Sequence, residues 1–293
     1  PTADISSAAS DVYKRQCLDC VFCQLGRTGQ KTLDRKNYVP TAEVVAEVRH
    51  WLRTDGKADY LTLSGSGEPT LHASFGEILS FLRRQSIPSV LLTNGVLLRL
   101  PEVRASAALA QVVKVSLSAW DQKSFEWVNR PHGQLQFETI VDGLKRFRNG
   151  YDGQLWMEVF LLAGMKAMPG DVEEIARLCR QIQPDRIHLN TIVRPPAENF
   201  AAAVPLAQLE ALARLFEPPA RIAADFGSRP SKTMAAGKTD ILALLRRRPC
   251  TIKQLEAVFG LHSNEVSKIL GQLMQHDHIR ADLKNREVYY TCR

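Results

Sequence analysis

From Thr41 onward the chain alternates two hydrophobic periods. Val44, Val45, Val48, Trp51 and Leu52 form one stripe of a helix over 41–54, with Thr41 as its cap behind Pro40. Residues 60–64 make a short strand running into glycines, 75–85 a helix, and 89–93 a strand ending in Asn94-Gly95. Strands follow over 112–117, 154–161 and 186–189, and helices over 136–149, 171–183 (capped by Asp171) and 206–216. Strands alternating with helices of this length build βαβ units on a parallel sheet. Five strands are legible and a first is missing ahead of a cysteine-rich loop, so the expected fold is α/β, a partial (β/α)6 barrel. Sites in such folds collect at the C-terminal strand ends.

Residues 218–237 lose this periodicity and hold Pro218, Pro219, Gly227, Pro230 and Gly237, the composition of a linker. Beyond it come a helix over 238–247, a second over 251–259 with Thr251 and Gln254 spaced as a capping box, and a third from Ser263 to about Gln275. Strand-like segments 279–281 and 288–291 are joined by a polar turn through Lys284, Asn285 and Arg286. That order is a winged helix-turn-helix. Its core is expected to be Leu255, Val258, Val266, Ile269, Leu270 and Leu273. The expected layout is a leader over 1–16, a barrel over 17–217, the linker, and a winged helix over 238–293.

The 293 residues are 45% apolar and 24% charged, which excludes wholesale disorder and fibrous structure. No apolar run approaches the roughly 18–20 residues of a membrane span, and no signal pattern opens the chain, so no membrane role and a cytoplasmic location are expected. The net charge of +7 is uneven: residues 238–293 carry 10 basic against 6 acidic residues, whereas 1–217 are nearly balanced at 25 against 24. A winged helix with that bias enters the major groove with its third helix, exposing Asn264, Ser267 and Lys268, while Lys284 and Arg286 meet phosphates. Docking of a protein partner is the alternative.

Residues 6–16, Ser-Ser-Ala-Ala-Ser-Asp-Val-Tyr-Lys-Arg-Gln, are residue for residue the translation of a common transposon-based sequencing adapter. Residues 1–16 are therefore expected to lie outside the natural fold, with natural sequence starting near Cys17.

Cys17, Cys20 and Cys23 fall within seven residues, whereas Cys179, Cys250 and Cys292 are scattered and read as small apolar residues. Clustered thiolates in a long chain without a signal point to metal or redox chemistry. Zinc wants four ligands in two separated pairs; no second C-x2-C exists, and His262, His276 and His278 belong to the other domain. Soft sulfur ligands equally suit an iron–sulfur cluster.

Together with the strand ends, this loop resembles the radical S-adenosylmethionine (SAM) superfamily, whose signature is C-x3-C-x2-C with an aromatic residue before the last cysteine. Phe22, Cys20 and Cys23 match; Cys17 is one residue too close, and position 16 is Gln, the last adapter residue. The resemblance implies that the natural first cysteine stood at 16, leaving this chain impaired. Ser64-Gly65-Ser66-Gly67-Glu68-Pro69 is similar to the family's glycine-rich turn that holds the amino group of SAM; glycines let backbone approach closely, and a carboxylate accepts from an ammonium. Asn94, Ser116, Ser118 and Asn190 end further strands at positions the resemblance assigns to SAM, and Cys-Val-Phe-Cys-Gln-Leu-Gly with Arg194-Pro195-Pro196 resembles a wyosine-synthase-like iron–sulfur oxidoreductase branch. The cofactors so implied are a [4Fe-4S] cluster and SAM, cleaved reductively to a 5′-deoxyadenosyl radical, with an electron donor as partner. A tRNA base and a protein compete as substrate, and Asp121, Glu158 and Arg194 are candidates to face it. The rival reading is a transcriptional regulator that senses cluster or SAM without turnover.

Overall fold

The computed structural model describes residues 2–5, 15–54, 56–65, 67–164, 168–194, 196–223, 238–259, 261, 263–284 and 287–292. Its strands are β1 (Thr2–Ile5), β2 (Arg15–Gln16), β3 (Gln30–Lys31), β4 (Tyr60–Leu63), β5 (Ser89–Thr93), β6 (Val112–Ser116), β7 (Gln154–Phe160), β8 (Arg186–Asn190), β9 (Arg221–Ile222), β10 (Ile279–Lys284) and β11 (Glu287–Cys292). The helices are α1 (Thr41–Thr54), α2 (Phe75–Arg83), α3 (Pro101–Ala107), α4 (Gln122–Asn129), α5 (Phe137–Asn149), α6 (Pro169–Ile182), α7 (Leu206–Ala213), α8 (Lys238–Arg247), α9 (Ile252–Phe259) and α10 (Ser263–Gln275).

Seven strands form one sheet in the order β1-β4-β5-β6-β7-β8-β9, every neighbour parallel. Strands β6, β7 and β8 alternate, as a two-residue period requires, whereas β4 and β5 are buried almost throughout. Val113 and Val115, Leu155, Met157 and Val159, and Ile187 and Leu189 are buried in one core with Leu79 and Leu82 of α2, Leu144 and Phe147 of α5, and Ile175 and Cys179 of α6. The opposite face carries the half-buried set Lys114, Ser116, Trp156, Glu158, Phe160, His188 and Asn190. That face is concave. Tyr60 and Trp156 lie three strands apart in the sheet, yet their ring centroids are 6.0 Å from each other. Flat strands at about 4.8 Å spacing would hold them roughly 14 Å apart. The sheet is curled but open, with β1 and β9 at its edges.

Several boundaries differ from expectation. Thr2–Ile5 pair with Tyr60–Leu63 in the place of the missing first strand, and Arg15–Gln16 pair with Gln30–Lys31, so parts of the expected leader join sheets; residues 6–14 lie outside the described residues. Arg221–Ile222, placed by composition in the linker, add a strand beside β8 because Ile222 packs against the main core; residues 224–237 of that linker lie outside the described residues. Helix α6 starts at Pro169, since proline suits the first helical position, which leaves Asp171 in the first turn and not at the cap. Helices α3 and α4 have no counterpart in the sequence reading.

The chain divides into two compact units. One comprises residues 1–21, 27–191 and 201–223; the other 22–26, 192–200 and 224–293. The second contains α8, α9 and α10, followed by the antiparallel hairpin β10–β11. Its core holds Ile241, Leu245, Cys250, Leu255, Val266, Leu270, Leu273 and Ile279, whereas Val258, expected there, is 39% exposed because it falls on the outer side of the short helix α9. Thr251 and Gln254 exchange side-chain bonds to each other's backbone N–H at 3.3 and 3.1 Å, the expected capping box.

Helix α5 touches the turn over 96–99 at Gly143, where a Cβ would come within 2.6 Å of the Arg99 backbone nitrogen. Backbone on both sides cannot yield, so Gly143→Ala is expected to cost about 1–3 kcal/mol through overpacking despite alanine's better helix propensity. Chemical denaturation of the two chains side by side checks this.

Candidate functional site

The C-terminal ends of β4 and β5 are sewn together by one carboxylate. Glu68 is 5% exposed. Its Oε1 accepts from the Thr70 backbone N–H at 3.1 Å and from the Thr70 and Thr93 hydroxyls at 2.6 and 2.5 Å, and its Oε2 accepts from the Asn94 N–H at 2.8 Å. Burial pushes its carboxyl upward from the ordinary carboxylate range, against the pull of these donors. Both oxygens are therefore engaged within the chain. Glu68 holds the loops that carry Gly65 and Gly67, and its carboxylate is not presented as an open acceptor for an ammonium. Ser66 lies outside the described residues. Gly67 has a steric reason to be glycine: a Cβ there would overlap the Arg15 carbonyl oxygen, whose partner is the Glu68 N–H at 2.9 Å.

The other strand-end residues differ in what they present. Asn94 donates from Nδ2 to Gln16 Oε1 at 3.1 Å and accepts at Oδ1 from the Val96 N–H. Ser116 is half-buried at the end of β6. Ser118 is buried and its hydroxyl accepts from the Phe160 N–H at 3.1 Å, while Asn190 Oδ1 accepts from the Thr191 N–H at 3.0 Å. Ser118 and Asn190 thus spend side-chain acceptors on their own backbone.

The cysteine loop is anchored from both sides. Asp19 accepts from the Thr28 N–H at 2.7 Å, and its carboxylate faces Arg27 at 3.5 Å. The Asp19 and Val21 N–H groups donate to Asn129 and Val128 at the end of α4, both at 2.9 Å. Asn129 is buried, and its amide donates to Cys20 Sγ at 3.2 Å. Cys17 is 0% exposed, part of the main core, and its carbonyl accepts from the His132 N–H at 2.8 Å. Burial, with the Glu68 charge adding to it, raises the Cys17 thiol well above the usual range, which disfavours the thiolate a metal needs. Phe22 and Cys23 are half-buried. Among the described residues, no three His, Cys, Asp or Glu side chains are gathered as a metal site.

Asp121 is a correction: it caps α4, its Oδ1 accepting from the Ser124 N–H at 2.6 Å, and so is committed to local structure. Glu158 points into the concave face and pairs with Lys114 at 2.5 Å. Arg194 donates to Gln24 at 2.7 Å. In the other unit Asn264, Ser267 and Lys268 are exposed on α10; Lys284 ends β10, and Arg286 lies outside the described residues. Sequence reasoning missed Asn129, Lys114 and His188. A lysine inside the run Val-Val-Lys-Val-Ser was a readable signal, since a buried strand has no reason to carry a charge unless one face lines a cavity. Asn129 had none.

The family model described as Radical SAM superfamily matches residues 17–179. A Helicobacter pylori protein named UPF0026 protein is 31% identical over 277 residues, covering 91% of this chain and 86% of that protein. A Brachyspira hyodysenteriae protein named GTPase Obg is 29% identical over 284 residues, 95% of this chain but only 42% of its own length, so its name describes more chain than is shared. Likewise the chain spans 57% of a Methanocaldococcus jannaschii UPF0026 protein. Among solved structures, Streptococcus suis SuiB bound to S-adenosylmethionine aligns with a TM-score of 0.55 at 16% identity, over 74% of this chain and 51% of that one. TYW1 with a lysine-pyruvate adduct bound aligns at 0.53 and 17%, over 71% of each chain. At these identities the two share the fold.

Glu68→Ala would leave four donors at the β4 and β5 ends without their acceptor. We expect a loss of roughly 3 kcal/mol or more in stability, read as a lowered denaturation midpoint at unchanged slope.

Proposed function

The chain belongs to the radical SAM superfamily, among the relatives named UPF0026, and from that premise we propose that it is an iron–sulfur oxidoreductase whose cluster site is incomplete at position 16. The superfamily uses a [4Fe-4S] cluster and SAM for radical chemistry, and the chain is accordingly an enzyme of that class. The residues present do not fit a three-thiolate cluster: Cys17 is packed into the core, and among the described residues no third ligand takes its place.

The observation that carries the proposal is the contact of the Gln16 side chain with Asn94 at the β5 end. Gln16, the end of β2, accepts at Oε1 from Asn94 Nδ2 at the β5 end, where the glycine-rich turn also converges, and the core-buried Cys17 thiol meets the same Asn94 side chain. Residue 16 lies within hydrogen-bonding reach of a strand end, and a cysteine there restores the C-x3-C-x2-C spacing with Cys20 and Cys23, which Cys17 does not. This supports the reading that Gln16 stands where the natural protein has cysteine. The half-buried Phe22, Ser116 and Asn94, with Gly65 and Gly67, are the residues proposed to receive SAM, and Asn129 to hold Cys20 in place.

The wyosine-synthase-like branch, with a tRNA base as substrate, is preferred here over a protein substrate on the run Cys-Val-Phe-Cys-Gln-Leu-Gly. The C-terminal helices and hairpin are proposed to act as a winged helix that takes nucleic acid on α10 through Asn264, Ser267 and Lys268, with Lys284 and Arg286 beside it; an electron donor completes the system.

Anaerobic reconstitution of the chain as given beside Gln16→Cys, followed by a reduced SAM-cleavage assay, tests this. We expect 5′-deoxyadenosine from Gln16→Cys at least about a hundredfold above the parent, the order of effect of losing an essential group, and Cys17→Ala within Gln16→Cys to leave the cluster content unchanged. Equal turnover by both chains would overturn the assignment of position 16. A bound cluster without turnover that changes DNA affinity would favour the regulator.

A further inference from the structure

Below the strand ends, the concave face carries a layer of charge that neither the cluster nor SAM accounts for. The register sets Ser116, Glu158, His188 and Arg221 directly across neighbouring strands, and Lys114, Trp156 and Arg186 across the row beneath. Lys114 reaches up to Glu158 at 2.5 Å, both side chains only 22% and 24% exposed. Arg186 lies over the Trp156 ring at 4.8 Å from its centroid, and Trp156 meets His188 edge-on at 5.7 Å and Tyr60 at 6.0 Å.

These groups do not balance. Lys114 and Glu158 cancel, and no carboxylate pairs with the guanidinium of Arg186 or Arg221 among the described residues. An aromatic floor with two uncompensated guanidinium groups and a neutral imidazole between them is a recognition surface for negative charge, since Arg presents paired donors to planar anions. His188 is held below its ordinary pKa, by burial first and then by Lys114, Arg186 and Arg221, with Glu158 opposing. With Lys114 and Glu158 paired, the charge left over on this face is that of the two guanidinium groups.

We infer that the concave face binds its substrate through an anionic group, phosphate or carboxylate, held by Arg186 and Arg221 and met by His188. This deepens the enzyme reading and rests on it for the word substrate. The site takes in the row of Ser116, with half-buried His188 and exposed Arg221 at the sheet edge, and half-buried Arg186 in the row beneath, so the anchored end would sit below Asn190 and the remainder of the molecule would rise toward the strand ends. Lys114 acts here as a positioning residue: its ion pair neutralises the Glu158 carboxylate, the cross-strand neighbour of His188, beside the incoming anion.

Imidazole NMR of the full-length labelled chain tests the inference without cluster or turnover, using inorganic phosphate and acetate as probes. An anion next to His188 favours the imidazolium, so its pKa should rise from the depressed value as the probe saturates. Stronger binding of phosphate assigns the source to a phosphate ester, stronger binding of acetate to a carboxylate. Arg186→Gln should weaken the stronger probe at least about tenfold, the scale of one charge-assisted contact, while Arg186→Lys recovers part of it. If His188 responds to neither probe, or no more than His50 and His132, the result is an adventitious ion only and the inference falls. Anion binding in a chain that never forms 5′-deoxyadenosine, even as Gln16→Cys, would count against the enzyme reading alone.

Discussion

One constraint organises the molecule: parallel strands of period two, covered by helices on a single face. Leu155, Met157 and Val159 must all be buried for the sheet to hold α5 and α6, which forces Trp156, Glu158 and Phe160 to the other side. Helices cannot cover that side as well, because the sheet curls until Tyr60 meets Trp156. What remains is a polar hollow whose mouth is the set of strand C-termini. Packing thus sets the half-buried polar side chains of β6, β7 and β8 in that hollow before any functional residue is chosen.

Within the mouth, order comes from internal acceptors. Glu68 gathers donors from Thr70, Thr93 and Asn94, and Asn129 gathers the cysteine loop from the other side. The two are complementary: a buried acceptor fixes the glycine-rich turn, and buried Asn129, whose backbone carbonyl takes the Asp19 N–H while its side-chain nitrogen meets Cys20, fixes the cysteine loop. A flexible glycine-rich turn could not hold a ligand-sized gap open alone, since glycine has the most conformational freedom to lose.

Much of this was legible in the sequence, and the limits have physical causes. The long amphipathic helices and apolar strands declared themselves by period, as did the capping box at Thr251. The family resemblance arose from Cys20, Phe22, Cys23 and the glycine-rich turn. Strand β9 did not show, because two residues carry no period and only the sheet edge recruits them. Helix α4 did not show, because its stripe is short and its cap, Asp121, looked like chemistry. Glu68 was read as a ligand-facing carboxylate, since a glycine-rich strand end suggests exposure, whereas its donors come from residues up to 26 positions away. The inward turn of Cys17 could not be seen without the strand that precedes it.

Packing and chain order disagree over where the second unit ends. By contact, residues 22–26 and 192–200 belong with the C-terminal helices, although sequence places them inside the barrel. Arg194 and Gln24 are joined inside that unit, and Arg194 also acts electrostatically on Cys250 and Tyr289. The stretch around the third cysteine is thereby tied to a segment 170 positions later in the chain. A cut at the linker would part residues 22–26 and 192–200 from the C-terminal helices with which they share one compact unit.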